Sequence, residues 1–434
     1  MRKKRFRKTP LHWIAISLIV FIWAVGNIGL NTANSPSKII DSPQEIRGVW
    51  ITNVNSGVLF MPWAINRALN QLSQLQFNTV YPVVWNRGTT FYRSAVSRRV
   101  TGRSQDDLLN LMRLGRDVLS EIIREGHQKG LRIIPWFEYG FMAPINSSLV
   151  RYHPDWVALP QDHQFKSIYS RADLTHADSS TASWIGIQNV WLNPLHPQVQ
   201  QFMRDLILEV VMKYDVDGIQ FDDHFGMPVE LGYDWFTVKL YQDEHNGKMP
   251  PDDPYNPQWM RWRANKITAF LTTLVKEIKA VKPNCIISLS PNPKSIAYQD
   301  YLQDWQTWVE QGLVEELIVQ IYRDNSIAFI KELDDPAIQE TRQKIPVSIG
   351  ILTGILGRVV DIKTIQQQVQ AVRDHHFKGI SFFYWESLWS YITPDAPQER
   401  RRMFQQLLSD QPANSASSIS GLNGSSFIKT QKSK

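Results

Sequence analysis

Asp222, Asp223 and His224 close an apolar run, VDGIQFDDHF (216–225), where a chain with no use for them would end on turn residues. Two carboxylates and an imidazole are residue types of proton transfer. In a strand whose two faces are both buried, alternate residues point the same way, so polarity sorts the faces. Gln220, Asp222 and His224 share one parity and Ile219, Phe221 and Asp223 the other. The polar set is expected to face the interior, with Asp222 the better-placed acid. Asp223 lies past the regular part, free to turn either way.

Other runs give similar sets. Arg132, Trp136 and Glu138 share a parity, as do Ser288, Ser290 and Asn292, and Gln320, Tyr322 and Asp324. Near the C-terminus Tyr384 and Glu386 share one, with Phe383 and Trp385 on the other. Five run ends thus deliver acids, amides or hydroxyls, with Trp50, Trp85, Trp136 and Trp385 nearby. Glycosidic hydrolysis needs such a set: one carboxyl protonates the leaving oxygen, another attacks or activates water, and aromatic faces hold the rings. Blander roles compete: Asp223 as a helix cap, Glu138 as a salt-bridge partner of Arg132, Asp217 as a structural acid at the strand's start. The Asp-Asp-His cluster also fits a metal, but no HExxH or HxH partner exists and His224 is expected to bond a carboxylate. No metal and no cofactor are expected.

The elements that position these residues follow a rhythm. Strand-like runs occur at 47–54, 77–85, 131–140, 216–225, 285–293, 316–324, 346–352 and 379–388. Helical stripes lie between them. One comprises Val199, Phe202, Met203, Leu206, Ile207, Val210, Val211 and Tyr214; another Ile267, Phe270, Leu271, Leu274, Val275 and Ile278; a third Ile362, Ile365, Val369 and Val372. This alternation predicts an α/β fold, a (β/α)8 TIM barrel over residues 45–410, with long loops after strands three and four. A doubly wound sheet would usually carry a Gly-rich phosphate turn after its first strand, which RGVWITNVNSG lacks.

The net charge of +6 comes from the ends. Residues 1–40 hold seven basic residues and 411–434 three, with no acid in either; removing those ten from 47 leaves 37 basic against 41 acidic. A mildly acidic body argues against nucleic-acid binding. The single cysteine, Cys285, excludes an internal disulfide. Residues 1–30, basic and then apolar, read as a signal peptide or signal-anchor helix, residues 31–44 as a linker and 411–434 as a disordered tail. The basic flank keeps the N-terminus cytoplasmic, so the body is expected outside the cytoplasmic membrane, anchored or secreted.

The segments EIRGVWITNV, GLRIIPWFEYG, HPDWVA and VWLNPLHPQVQQFMRDLILEVVMKYDVDGIQFDDHF, continued by WRANKITAFLTTLVKEIKAVKPNCIISLSP and LVEELIVQIY, resemble the glycosyl-hydrolase-like 10 (DUF187) family over roughly residues 45–390. The resemblance implies a TIM barrel acting on glycans of the envelope, and puts Asp222 and Asp223 at the family's acidic motif on strand four. The chain departs from that pattern at Glu138, Asn193, His224 and Arg323.

The combined expectation is an extracytoplasmic glycoside hydrolase with a glycan as its partner. Asp222 is the principal carboxylate and Asp223 or Glu138 the partner acid, with Asp324 and Glu386 as further candidates. Trp50, Trp85, Trp136, Tyr322 and Trp385 are expected at sugar subsites, with Gln320, Asn292 and His224 as polar contacts. A non-catalytic glycan-binding barrel and a metal-dependent hydrolase are the rivals.

Overall fold

The computed structural model describes residues 45–54, 56–162, 188–389 and 393–409. The expected N-terminal membrane helix, the linker and the C-terminal tail lie outside them.

Nine parallel strands form one curled sheet: β1 (Ile46–Ile51), β2 (Thr79–Pro82), β3 (Arg132–Ile133), β4 (Trp136–Phe137), β5 (Gly218–Asp222), β6 (Ile286–Ser290), β7 (Glu316–Gln320), β8 (Val347–Leu352) and β9 (Gly379–Phe383). Their order is β3-β2-β1-β9-β8-β7-β6-β5-β4. The two ends of that order are halves of a single stretch, 132–137. Ile134 N–H donates to Val80 on one side (3.0 Å), and the Pro135 carbonyl accepts from Gln220 N–H on the other (2.8 Å). Proline has no N–H to offer a ladder, so the stretch changes partner there. The arrangement is consistent with a (β/α)8 barrel.

A helix follows each strand run: α1 (Ala64–Gln74), α2 (Val118–Gln128), α3 (Pro197–Lys213), α4 (Pro257–Val281), α5 (Trp305–Glu310), α6 (Pro336–Thr341), α7 (Ile362–Asp374) and α8 (Pro397–Ser409). Their starts are written in the sequence. Asn256 caps α4 by accepting from Gln258 and Trp259 N–H, with Pro257 in the first turn, and Asp361 caps α7 by accepting from Thr364 N–H. The expected stripe residues of α3, α4 and α7 are the buried ones, Tyr214 lying just past the end of α3.

Long connections follow β4 and β5. The first includes an antiparallel pair, Met142–Pro144 with Asn189–Trp191. The second carries a helix, Trp235–Glu244. It is tied down by Arg263, fully buried on α4, which donates to the carbonyls of Val229, Leu231 and Pro254 and lies 4.5 Å from the Trp259 ring. Burial pulls the Arg263 pKa down to about 10.

The interior is layered. At the N-terminal end of the strands Arg132 Nη2 meets Glu316 Oε2 at 2.7 Å, and Ser288 Oγ lies 3.3 Å from Glu316 Oε1. Above them Trp50 Nε1 donates to Gln220 Oε1 (2.7 Å), and Gln220 Nε2 donates to Ser288 Oγ (3.0 Å). Tyr81, Trp136 and Phe383 surround the Trp50 ring at 5.2, 6.2 and 6.1 Å. The alternative of a Glu138–Arg132 salt bridge is not formed; Arg132 pairs with Glu316 instead. The physical reason is distance: six residues of extended chain put Glu138 roughly 20 Å above Arg132. Asp217 is structural, its carboxylate accepting from Ile133 N–H at 2.7 Å and lying 2.9 Å from His127.

Candidate active site at the C-terminal rim

Asp222, the last residue of β5, is fully buried, and its Oδ1 accepts from Gln320 Nε2 at the end of β7 (2.6 Å). Gln320 also donates to the Ser290 carbonyl at 2.9 Å, which fixes its amide and through it the acid's rotamer. Asp223 leaves the strand and turns toward the same rim. Its Oδ2 accepts from Asn292 Nδ2 (2.8 Å), and its Oδ1 lies 3.0 Å from His224 Nδ1. It is not the cap of a following helix.

His224 Nδ1 is also 3.0 Å from the Glu138 carbonyl oxygen. Both neighbours can accept, so the contact holds in the tautomer that carries a proton on Nδ1, and a metal on Nδ1 would have to displace it. The ring stacks on Tyr139 at 5.8 Å, with Trp191 at the same distance on a tilted plane. Asp222, Asp223 and His224 do offer three ligand atoms within 4.8 Å of one another, a spacing that a cation can bridge. Glu138 receives Asn86 Nδ2 and Thr52 Oγ1 on its Oε2, the latter at 3.3 Å.

The backbone carrying these groups is itself braced. Gln303 Nε2 reaches the carbonyls of Asp222, Asp223 and Phe225 at 2.8, 3.3 and 3.3 Å. Gly140 has φ +45, and a Cβ there would stand 2.4 Å from the His224 carbonyl oxygen. Only glycine fits that approach.

Glu386 sits in the 3-10 turn Trp385–Leu388 that follows β9, four places around the sheet from β5. Burial pushes its carboxyl up to about 8, against smaller lowering contributions from Ser56 and the Gly57 N–H. Because β9 ends at Phe383, the alternation expected to run through Glu386 stops three residues before it. Phe383, expected on the face opposite the polar set, points inward against Trp50, Trp136 and Tyr322.

Several expected site residues lie elsewhere. Asp324 is mostly exposed and paired with Arg358 at 2.6 Å, so it does not join the cluster. Trp85 turns outward, its ring 5.6 Å from Phe202 of α3 and its Nε1 donating to the Gly140 carbonyl. Trp385 packs at 4.6 Å against Trp389, which in turn faces Phe404 of α8. Trp50, Trp85 and Trp136 are 0–1% exposed and fill the interior or the wall, leaving no face for a sugar ring. Tyr322 stays at the mouth beside Phe383.

Sequence reasoning passed over Thr52, Asn86, Tyr139, Trp191 and Gln303. Asn86 stands one residue past the expected second strand, and Thr52 shares the parity of Trp50, so both were within reach of the parity rule. Gln303 arrives from a loop some eighty residues downstream and has no local signal.

A curled parallel sheet with helices after its strands and carboxylates held by amides at its C-terminal rim defines an α/β protein of TIM-barrel type. The chain belongs to the glycosyl hydrolase-like 10 family, whose profile matches residues 45–372. It is 25% identical over 334 residues to glycosyl hydrolase DigH of Escherichia coli, covering 66% of this chain and 67% of that protein. Glycosyl hydrolase YngK of Bacillus subtilis is 25% identical over 315 residues, covering 65% of this chain and 54% of YngK. In fold it is similar to the PgaB (BpsB) glycoside hydrolase domain of Bordetella bronchiseptica. That match has a TM-score of 0.57 at 12% identity, over 83% of this chain and 99% of that one. α-L-Fucosidase isoenzyme 2 of Paenibacillus thiaminolyticus gives a TM-score of 0.56 at 12% identity, over 84% and 49%.

Proposed function

We propose that the protein is a glycoside hydrolase acting on a polysaccharide outside the cytoplasmic membrane, peptidoglycan glycan strands being the first to test. The observation that carries this is the Asp222 carboxylate, fully buried at the C-terminal rim and fixed by Gln320, with Asp223 against His224 beside it and His224 in turn held at the Glu138 main-chain carbonyl. In this reading Asp222 attacks the sugar or activates water. The proton for the leaving oxygen comes from a second carboxyl: Asp223, Glu138 or Glu386.

Environments that push two acids apart in pKa separate their roles. Glu386, raised by burial to about 8, holds its proton at neutral pH, but it stands four strands around the sheet from Asp222, whereas Asp223 adjoins Asp222 and Glu138 follows the neighbouring strand. Gln320 and Asn292 position their acids rather than the sugar. With Trp50, Trp85, Trp136 and Trp385 used in packing, sugar contact falls to Tyr322 and the rim loops.

The test is incubation of the full chain in detergent with peptide-free peptidoglycan strands and a polysaccharide panel, with products read by mass spectrometry. New reducing ends from wild type and none from Asp222→Asn support the proposal. Equal products from both remove Asp222 from its role. The three clustered ligand atoms favour a second reading, a metal-dependent hydrolase. Turnover that falls on chelation and returns with a divalent cation selects it.

A further inference from the structure

Away from the rim, a groove of about 600 Å³ runs along the outer wall between α1 and α2, with Arg401 of α8 at its side. It is an open, mostly polar groove, the shape that an extended strand rather than a small enclosed ligand would lie along. Trp63, the residue before α1, is 69% exposed at its head. Asn66, Arg67, Asn70, Gln71 and Gln74 continue from it at spacings of three, four, seven, eight and eleven, a single helical face about 16 Å long. The opposite face, Ile65, Ala68, Leu69 and Leu72, is buried.

This face is unlike an ordinary solvated one. Arg67 is the single charge among the eleven residues of α1, whereas α8 carries Glu399, Arg400, Arg401 and Arg402 in thirteen. Amides take the positions where charges would serve solubility. Asn70 Nδ2 donates to Asn66 Oδ1 at 2.7 Å, so that pair is already oriented. An open indole followed by a row of planar amides suits a chain of pyranose rings, which offer an apolar face and hydroxyls around the edge.

The charges in the groove add a preference. Glu121 is paired with Arg113, and Glu125 with Lys129 and Arg124. Arg67 and Arg401 have no ion pair among the described residues. The two guanidiniums left over favour a carboxylate-bearing strand.

We infer that this groove is a second glycan-binding site, separate from the candidate active site, that holds a carboxylate-bearing polysaccharide strand on the outer wall. The choice of a glycan as ligand rests on the glycosidase proposal; the groove itself does not. Because α1 descends from the C-terminal face, Trp63 stands on the rim side, where a strand bound along the wall leads toward the mouth.

The test uses the full chain in detergent carrying Asp222→Asn, so that probes survive. Affinity for polygalacturonate oligomers and for neutral N-acetylglucosamine oligomers of equal length is measured by calorimetry at low and high salt. The expected result is salt-sensitive binding of polygalacturonate, weakened about tenfold by Trp63→Ala and a few-fold by Arg67→Gln. An unchanged melting temperature shows that these exposed substitutions leave the fold intact. Binding of neither probe, equal binding of both, or indifference to Trp63→Ala overturns the inference. The two proposals fail separately. A chain that hydrolyses no glycan yet loses polyuronate binding with Trp63→Ala keeps the groove and loses the hydrolase; one that hydrolyses a glycan but ignores Trp63→Ala does the reverse.

Discussion

At the N-terminal end of the sheet's interior a buried acid meets an arginine; at the C-terminal end buried acids meet amides, hydroxyls and an imidazole. Glu316 faces Arg132 at 2.7 Å, and the guanidinium responds: burial is the largest influence and opposes its charge, but Glu316 together with Tyr81 and Asp217 raises its pKa overall. Asp222 takes an amide from Gln320, Asp223 an amide from Asn292, and Glu138 an amide and a hydroxyl from Asn86 and Thr52. An ion pair neutralises an acid and commits it to structure. A neutral donor fixes its geometry and leaves its proton chemistry to the local environment. The same sheet thus holds one layer tied by an ion pair and one tied by neutral donors, the second being the layer to which the proposed hydrolysis is assigned.

The sharpest way to break this contrast is to substitute one acid in each layer. Asp222→Asn is expected to cut turnover by about 10³-fold or more while the melting temperature holds, measured on the glycan that wild type cleaves. Activity retained by this variant would mean that the upper layer is not a reaction centre. Glu316→Gln should do the opposite. It leaves the Arg132 charge without its partner and costs about 3 kcal/mol in urea unfolding, with turnover per folded molecule little changed. Comparable losses of turnover in both variants would erase the distinction.

Gly140→Ala sharpens the comparison from the backbone side. With φ at +45 and the His224 carbonyl 2.4 Å from the new Cβ, the loop under His224 must shift. A cost of about 1–3 kcal/mol is expected in unfolding, together with a clear drop in turnover. Wild-type values in both assays would show that the loop under His224 accommodates a Cβ without strain.

A further test concerns pH. Glu386 has its carboxyl raised from 4.5 to about 8, so between those values the folded chain holds a proton that the unfolded chain has released. Stability from this group is full below pH 4.5 and is lost as pH rises through about 8. Glu386→Gln should flatten that decline in a melting series; an unchanged slope would place the titration elsewhere. If Glu386 is also the proton donor, wild-type turnover falls along the same alkaline limb.

Much of the scaffold was legible in the chain, whereas the Arg132–Glu316 pair of the lower layer was not. Each run of Val, Ile and Phe became a strand, with β5 starting at Gly218 and ending at Asp222, because β-branched and aromatic residues suit a sheet buried on both faces. The parity rule put Gln220 and Asp222 inside, and they are. It failed where the ladder stops. Past Phe383 the chain enters a 3-10 turn, and past Gln320 it leaves the sheet, so Glu386 and Asp324 obey local turns rather than alternation. The tryptophans misled for a different reason: a large ring near a strand end can fill space inside or stack on ligand outside, and composition does not say which. Trp50, Trp85 and Trp136 fill space, whereas the exposed Trp63 lies outside the strand-like runs to which the parity rule applies.

The sequence by itself determined the alternation of strand and helix, the inward acid on β5 and the family, because these depend on local period and residue type. Only the tertiary structure decided which acids meet which donors. Asp222 with Gln320, Glu138 with Asn86, and Glu316 with Arg132 join residues 52 to 184 positions apart. Those pairings are set by strand order and register around the curled sheet, which no local pattern encodes.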